Sequence, residues 1–180
     1  RVRQLARRLE RDYRGRELLL VPLLTGSVLF LADLVRCLSL PLRVDFIGVS
    51  SYGSRTVPGG LVFTKELRLG IKKRDVIVID DILDTGRTLK AVHRRLQALK
   101  PASLRTCVLL DKPSRRQVPF EAEYIGFTIP DHFVVGYGLD FDERYRNLPF
   151  VGILHQHIYQ EPGKKPKSGR KKHPHRTKTR

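Results

Sequence analysis

The segment VIVIDDILDTGRTL, Val76 to Leu89, joins four strand-forming residues to three acids and then to a Thr-Gly-Arg-Thr sequence. The pattern predicts a buried strand followed by the start of a helix. Unpaired N–H groups at a helix start favour a phosphate, and a glycine lets the backbone approach it closely. The carboxylates would repel that phosphate, so we expect them to face a Mg²⁺-bound sugar or a base to be deprotonated. The segment therefore predicts a sugar-phosphate site, although an acidic helix cap would explain the same residues.

The rest of the chain predicts an α/β sheet that positions this segment. Apolar spacing predicts a helix over residues 1–14 and a second helix that begins after Ser27 and reaches Leu38. Leu89, Val92, Leu96 and Leu99 mark the inner face of a third helix. Strands are predicted for ELLLVPLL, RVDFIGVS, LVFTKEL, RDVIVID, SLRTCVLL and AEYIGFTI, and a loop for SYGSRTVPGG. Strands that alternate with helices indicate a parallel sheet, whose ligands bind beyond the carboxyl ends of the strands.

Positive charge is concentrated at the end of the chain. The 180 residues carry a net charge of +17, and Gly163–Arg180 holds nine Lys and Arg and no acid. Because this stretch has no apolar periodicity, we predict a disordered basic tail over residues 163–180. Such a tail would make non-specific polyanion contacts or keep the protein in solution.

The composition also indicates a compartment. The sequence has no apolar run of the roughly 20 residues that cross a bilayer, and the Arg-rich first residues do not continue into a signal peptide. Cys37 and Cys107 lie in apolar contexts without a CxxC motif, which predicts buried free thiols. We therefore expect a cytoplasmic protein with no membrane partner.

A family resemblance extends from about Leu18 to Leu154. It rests on the Val76–Leu89 motif together with LTGSVLFLADL, VDFIGVSSYGS, LLDKPSRR and YIGFTIPDHFVVGYGLDFDERYRNLPFVGIL. These stretches resemble the type I phosphoribosyltransferases, in particular the bacterial hypoxanthine (hypoxanthine-guanine) branch. The resemblance implies an α/β, parallel-sheet type I phosphoribosyltransferase fold with helices on both faces and a small hood region, in a domain of residues 1–162.

The activity that the resemblance implies belongs to purine salvage. Enzymes of this branch transfer a 5-phosphoribosyl group from phosphoribosyl pyrophosphate (PRPP) to hypoxanthine or guanine, giving IMP or GMP and pyrophosphate. The implied PRPP-binding residues are Asp80, Asp81, Asp84, Thr85, Gly86, Arg87 and Thr88. Within this set the loop holds the 5-phosphate, and the first two acids meet the ribose hydroxyls. Asp80 is one methylene shorter than the glutamate usual in the branch.

The resemblance also implies how the purine is bound. Asp84 matches the catalytic carboxylate that lies near N7 and acts in proton transfer, a role worth about 10²–10⁴ in rate. Lys112 matches the lysine that hydrogen-bonds O6, which selects 6-oxopurines over adenine. Phe133 matches the aromatic residue that stacks on the base, and Val134 the residue whose carbonyl reads its edge.

Pyrophosphate and metal contacts are implied in the same way. Family members bind pyrophosphate through a tight turn that can contain a cis peptide bond, through an arginine and through a mobile loop that closes over the site. The matching residues here are Leu24, Thr25, Gly26, Arg146, Ser51 and Tyr52. Thr25 replaces a Lys or Arg that is common in relatives. Mg²⁺ is the implied cofactor, near Asp80, Asp81 and Asp140, and a homo-oligomer, either a dimer or a tetramer, is expected.

Two other classes of function remain open at the level of sequence. A pyrimidine-operon RNA-binding regulator or a uracil phosphoribosyltransferase of the same fold also carries D-D-x-x-x-T-G-R-T. Those relatives usually lack an acid at the position of Asp84, which favours the purine enzyme. The second alternative is a non-enzymatic binding protein whose basic tail is the functional part.

Overall fold

The computed structural model describes residues 1–51 and 61–159. The helices in this part of the chain are α1 (Val2–Asp12), α2 (Val28–Val35), α3 (Arg87–Gln97) and α4 (Gln156–Tyr159), with a 3₁₀ turn at Pro113–Arg115. The strands are β1 (Leu18–Leu24), β2 (Leu42–Val44), β3 (Ile47–Ser51), β4 (Leu61–Lys65), β5 (Asp75–Leu83), β6 (Ser103–Asp111), β7 (Tyr124–Thr128), β8 (Val134–Val135) and β9 (Gly152–Ile153).

Seven strands form the main sheet, and most of their pairings are parallel. The order is β4-β3-β1-β5-β6-β7, and β2 pairs with the first half of β1. The pairing of β3 with β4 is antiparallel, so the sheet is mixed rather than purely parallel. β8 and β9 form a separate two-stranded antiparallel sheet. The predicted α/β fold class is confirmed.

Helices cover both faces of the sheet because the central strands alternate their buried side chains between two cores. Leu18 and Leu20 join the core beneath α1 and α2, whereas Leu19 and Val21 join the core beneath α3. The helices contribute apolar residues at the predicted spacing: Leu5 and Leu9 from α1, with Tyr13 directly after it, and Leu89, Val92 and Leu96 from α3. The side chains of β1 therefore pack into a core on each face of the sheet.

Several local predictions were wrong in detail. The stretch RVDFIGVS forms two strands, β2 and β3, separated at Asp45 and Phe46. The second helix ends at Val35 rather than at Leu38. Leu99 lies beyond the end of α3 and is half exposed, so it is not part of the buried face. Cys107 is buried and Cys37 only partly so, and both thiols are free.

The break between β2 and β3 has a physical cause in Asp45, which is 2% exposed. Its carboxylate accepts backbone hydrogen bonds from Phe46 (2.9 Å), Arg68 (2.6 Å) and Leu69 (2.8 Å) and lies 3.4 Å from Lys65 Nζ. Burial raises the pKa of Asp45, but the hydrogen bonds from Leu69, Arg68 and Phe46 outweigh it and lower the pKa overall. The carboxylate thus satisfies buried N–H groups that the sheet leaves unpaired.

We expect Asp45→Ala to lower the free energy of unfolding by about 2–4 kcal/mol, because three backbone donors lose their acceptor. Since the pKa of Asp45 is lower in the folded state, its stabilising contribution is present above the unfolded-state pKa and is lost as pH falls through the folded-state pKa. Urea unfolding of wild type and Asp45→Ala, at pH 7 and at decreasing pH, measures the two free energies of unfolding. The difference between them should become smaller in acid. An Asp45→Ala variant as stable as Asp142→Asn, a change at an exposed aspartate, would contradict the assignment.

None of the helices in the described ranges is long and apolar enough to span a membrane.

Candidate functional site

Two adjoining pockets open at the carboxyl ends of β1, β5 and β6. The first, which we call the loop pocket, has a volume of about 340 Å³. The second, which we call the lysine pocket, has a volume of about 570 Å³. Both are lined by Asp81, Ile82, Asp84 and Asp140. A ligand with two chemically different halves could therefore occupy both pockets and contact these shared residues.

The acidic pair Asp80 and Asp81 lies at the base of the loop pocket. Both residues belong to β5, which continues to Leu83, beyond the predicted strand RDVIVID. Burial, and then the adjacent carboxylate of Asp81, raise the pKa of Asp80 well above its usual value. Burial also raises the pKa of Asp81, against hydrogen bonds from Asp80 and from the Ile82 N–H. Two carboxylates held this close favour a shared proton or a cation.

The segment from Asp84 to Thr88 turns from β5 into α3. Gly86 stands at the N-cap of α3 with φ +80°, a left-handed conformation that favours glycine. A Cβ there would come within 3.0 Å of Arg116 Cδ. Thr85, Gly86 and Thr88 line the loop pocket. They lie at the N-terminal end of α3, where the helix dipole and the free N–H groups favour an anion.

Arg87 is the member of this loop that the structure places elsewhere. Its side chain is exposed and lines a groove between α3 and β4 instead of either pocket. Its backbone N–H lies 3.4 Å from Thr85 Oγ1. The charge that the sequence assigned to the phosphate is thus turned away, and the backbone is the part of Arg87 nearest to the loop.

The turn after β1 forms the opposite wall of the loop pocket. Leu24, Thr25 and Gly26 all line it, and the Leu24–Thr25 peptide bond is cis. A Cβ on Gly26 would lie 1.9 Å from Asp81 Oδ2, so the turn lies directly against the acidic pair. A Cβ on Gly138, which has φ +104°, would lie 2.0 Å from the Gly26 carbonyl oxygen. Two glycines therefore allow three segments of the site to touch.

Arg146 and Asp140 complete the rim of the loop pocket. Arg146 Nη1 lies 2.9 Å from Asp140 Oδ1 and donates to the Gly138 carbonyl at 2.8 Å. Its Nη2 donates to Glu143 at 3.0 Å. The guanidinium is therefore fixed from three directions and presents a positive charge beside the turn at Gly26.

The lysine pocket contains a buried cation. Lys112 is 6% exposed and lines this pocket with Asp84, Phe133 and Val134. Within residues 1–51 and 61–159 its ammonium has no acidic partner within ion-pair distance. Phe133 is 38% exposed and makes an edge-to-face contact with Phe141 at 5.6 Å. A pocket that combines this ammonium with an aromatic face suits a flat ligand with an oxygen acceptor.

Sequence reasoning missed four charged residues near Lys112, namely Asp111, Arg115, Arg116 and Asp131. Arg115 Nε lies 3.2 Å from Asp84 Oδ1 and 3.8 Å from Asp131 Oδ1. Arg116 donates to the carbonyls of Leu83 (3.1 Å) and Asp84 and forms an ion pair with Asp111. The sequence offered one signal, which is that Arg115 and Arg116 belong to the quoted stretch LLDKPSRR.

Two sequence-predicted site residues fall at the edge of the described part of the chain or beyond it. The backbone of Ser51 ends β3, and Tyr52 lies outside the described residues, as does the predicted basic tail. Within the described ranges, no three His, Cys, Asp or Glu side chains form a ready-made metal site. Asp80, Asp81 and Asp140 all line the loop pocket but do not form such a cluster on their own.

Comparisons with known proteins agree with this geometry. A family model for the phosphoribosyl transferase domain matches residues 1–142. The chain is 46% identical over 158 residues to a hypoxanthine-guanine phosphoribosyltransferase of Staphylococcus aureus, with 87% of this chain and 88% of that protein covered. It is 47% identical over 162 residues to the bifunctional protein TilS/HprT of Listeria monocytogenes; 89% of this chain is covered, and it spans only 25% of that protein.

A solved structure extends the similarity to the fold. The hypoxanthine phosphoribosyltransferase of Trypanosoma cruzi, in complex with the product IMP, matches with a TM-score of 0.83 at 40% identity. The match covers 88% of this chain and 89% of that one.

Proposed function

The chain belongs to the phosphoribosyl transferase family, and we propose that it transfers the 5-phosphoribosyl group of PRPP to hypoxanthine, and to guanine, in purine salvage. The products are IMP or GMP and pyrophosphate. The loop pocket takes PRPP and the lysine pocket takes the purine. Asp84, which lines both pockets, stands where the two substrates meet.

The observation that carries this proposal is Lys112, which is 6% exposed, lines the lysine pocket and has no acidic partner among the described residues. An ammonium that lines a pocket without an acidic partner among the described residues is suited to donate a charge-assisted hydrogen bond to an oxygen of the ligand. O6 of hypoxanthine or guanine is such an acceptor, whereas adenine presents an amino donor at the same place. Asp84, in the same pocket, accepts hydrogen bonds on the imidazole side of the ring. Uracil has no imidazole ring to place there, which disfavours the pyrimidine alternative.

In the reaction, the purine is held flat by Phe133 and oriented by Lys112. The bond from ribose C1 to the pyrophosphate oxygen breaks, and the bond from C1 to purine N9 forms. The ring proton moves towards the Asp84 carboxylate as N9 attacks, which makes N9 a better nucleophile. The electron pair of the broken bond leaves with pyrophosphate, next to the guanidinium of Arg146.

The residues that hold PRPP divide by chemistry. Thr85, Gly86 and Thr88, at the start of α3, bind the 5-phosphate. The backbone N–H groups of Leu24, Thr25 and Gly26 bind pyrophosphate, to which the family resemblance also assigns Ser51 and Tyr52.

Mg²⁺ fits the acidic side of the loop pocket. Burial raises the pKa values of both Asp80 and Asp81, and the carboxylate of Asp81 raises that of Asp80 further; a hard divalent cation with oxygen ligands would favour the ionised carboxylates. These two residues and Asp140 would hold it together with substrate oxygens, because the described side chains alone do not form a complete site. When bound, the ion supplies charge neutralisation for pyrophosphate.

The proposal also covers the limits of the domain, the cellular location and the oligomeric state. The catalytic domain is residues 1–162, and residues 163–180 are a basic tail that makes non-specific polyanion contacts. The free cysteines Cys37 and Cys107 support a cytoplasmic location. A homo-oligomer is supported by Phe150 and Ile153, large apolar side chains that are 59% and 62% exposed.

The proposal is tested by initial rates with PRPP, Mg²⁺ and each of hypoxanthine, guanine, adenine and uracil. We expect turnover of the two 6-oxopurines and kcat/KM values at least about 10³-fold lower for adenine and uracil. Repeating the assays after deletion of Gly163–Arg180 separates the domain from the tail, and the rates should not change. Turnover of uracil in preference to hypoxanthine would overturn the assignment in favour of the pyrimidine alternative.

Lys112→Met should lower kcat/KM for hypoxanthine by about 10²-fold, because the hydrogen bond to O6 is lost while the side-chain volume is kept. The KM for PRPP should stay within about twofold of the wild-type value, since the two substrates occupy different pockets. Lys90→Met, a matched change at an exposed lysine of α3, is the control. Equal kcat/KM values for Lys112→Met and Lys90→Met would remove Lys112 from purine recognition.

A further inference from the structure

Arg115 links two walls of the lysine pocket through its side chain. Its Nε lies 3.2 Å from Asp84 Oδ1, at the end of β5, and 3.8 Å from Asp131 Oδ1, in the turn before β8. All three residues line the pocket. One guanidinium therefore spans from the carboxylate at the junction of the two pockets to the segment that carries Phe133.

The backbone beneath Arg115 is fastened to the loop that carries Asp84. The Lys112 N–H donates to the Leu83 carbonyl at 2.9 Å, and the Gln117 N–H donates to the Thr85 carbonyl at 3.0 Å. Between them the Arg115 N–H closes the 3₁₀ turn onto the Lys112 carbonyl at 3.1 Å. These hydrogen bonds hold the backbone of Arg115 next to the loop that carries Asp84.

A contribution to folding stability does not explain the ion pair between Arg115 and Asp84. The side chains of Arg115 and Asp84 are 46% and 38% exposed, and ion pairs this exposed contribute little to folding. Yet within the described residues Arg115 is the one group that hydrogen-bonds the Asp84 carboxylate. The neighbouring Arg116 contacts the Asp84 main-chain oxygen and leaves the carboxylate untouched. The orientation of the carboxylate therefore depends on Arg115.

We propose that Arg115 is a positioning residue, which holds the Asp84 carboxylate towards the purine and ties it to the Asp131 turn. This inference rests on the proposed function, because it assigns the carboxylate an incoming 6-oxopurine. Arg115 touches no reacting atom itself. Its effect is on the geometry from which the ring proton is transferred, where displacements of about 1 Å are costly.

The test is a kinetic comparison of Arg115→Ala, Arg115→Lys and Arg94→Ala, the last being a matched change at an exposed arginine of α3. We expect Arg115→Ala to lower kcat with hypoxanthine about tenfold and to leave the KM for PRPP unchanged, since the loop pocket is intact. Arg115→Lys should recover part of the loss because a cation remains. Arg94→Ala should match wild type, and the melting temperatures should agree throughout.

A double variant identifies the residue through which Arg115 acts. If Arg115 works through the Asp84 carboxylate, then Arg115→Ala added to Asp84→Asn causes no further loss of kcat. The same tenfold loss in both backgrounds would show independent action and overturn the inference, as would an unchanged kcat for Arg115→Ala in an active wild-type background. A wild-type protein that makes no nucleotide would overturn the proposed function itself, and this inference with it.

Discussion

Asp84→Asn should lower kcat for IMP formation by about 10²–10⁴, the range expected for loss of a positioned general base. The amide keeps the shape of the side chain but does not take up the purine ring proton. PRPP binding should remain nearly intact, because we assign the 5-phosphate to the start of α3 and pyrophosphate to the turn at Gly26, both of which line the loop pocket. Steady-state kinetics with varied PRPP and hypoxanthine separate the two effects.

The matched control for this experiment is Asp142→Asn. Asp142 is exposed and has φ +53°, a left-handed conformation that asparagine tolerates well, so kcat should equal that of wild type. Isothermal titration of PRPP into Asp84→Asn should give a Kd within about threefold of the wild-type value. Unchanged turnover of Asp84→Asn would remove Asp84 from the proton-transfer role and leave it as a cap of the loop.

Gly26→Ala should abolish productive PRPP binding with little loss of stability. The new methyl group would lie 1.9 Å from Asp81 Oδ2 and 2.8 Å from Asp81 Cγ, so the Asp81 side chain has to move. A partly exposed side chain at the pocket wall moves at modest cost to folding, but the proposed ribose contact depends on the position of Asp81. We expect kcat/KM for PRPP to fall by about 10² or more.

Gly70→Ala is the control for the glycine substitution, because a Cβ at Gly70 meets nothing within 4 Å. Thermal unfolding and kcat/KM for PRPP are measured on both variants. The melting temperature of Gly26→Ala should stay close to that of Gly70→Ala while its activity is lost. If Gly26→Ala kept wild-type kcat/KM, the turn would not lie against the acidic pair in the working enzyme.

The helices and strands that are defined by apolar spacing and by Gly or Pro breaks were predictable from the sequence. Leu5, Leu9, Val92 and Leu96 recur at helical spacing, and each is buried against the sheet as expected. The alternation of strands and helices also predicted that Asp80 and Asp81 lie at the carboxyl edge of the sheet, because ligands bind beyond that edge in parallel sheets. The family resemblance then identified Lys112, which no periodic pattern distinguishes from a solvated loop lysine.

The boundaries and the charge pairings were not predictable, for separate reasons. β5 continues through Asp80 and Asp81 because its pairing with β6 continues to Leu83 and Asp111, and propensity alone ends a strand at two acids. The break at Asp45 depends on N–H groups from residues more than 20 positions away.

The contact of Arg115 with Asp84 joins residues 31 positions apart, which only the folded chain reveals. Such long-range pairings leave no trace in local spacing. For the same reason, the sequence did not show that the Arg87 side chain turns away from the phosphate loop.

The central claim is that a purine in the lysine pocket attacks ribose in the loop pocket through N9, with Asp84 on the N7 side. The most direct measurement is to incubate the folded, full-length chain with PRPP, Mg²⁺ and hypoxanthine and to identify the products by chromatography and NMR. We expect IMP linked through N9, together with an equal amount of pyrophosphate. A folded protein that releases no nucleotide, or a nucleotide linked through N7, would contradict it.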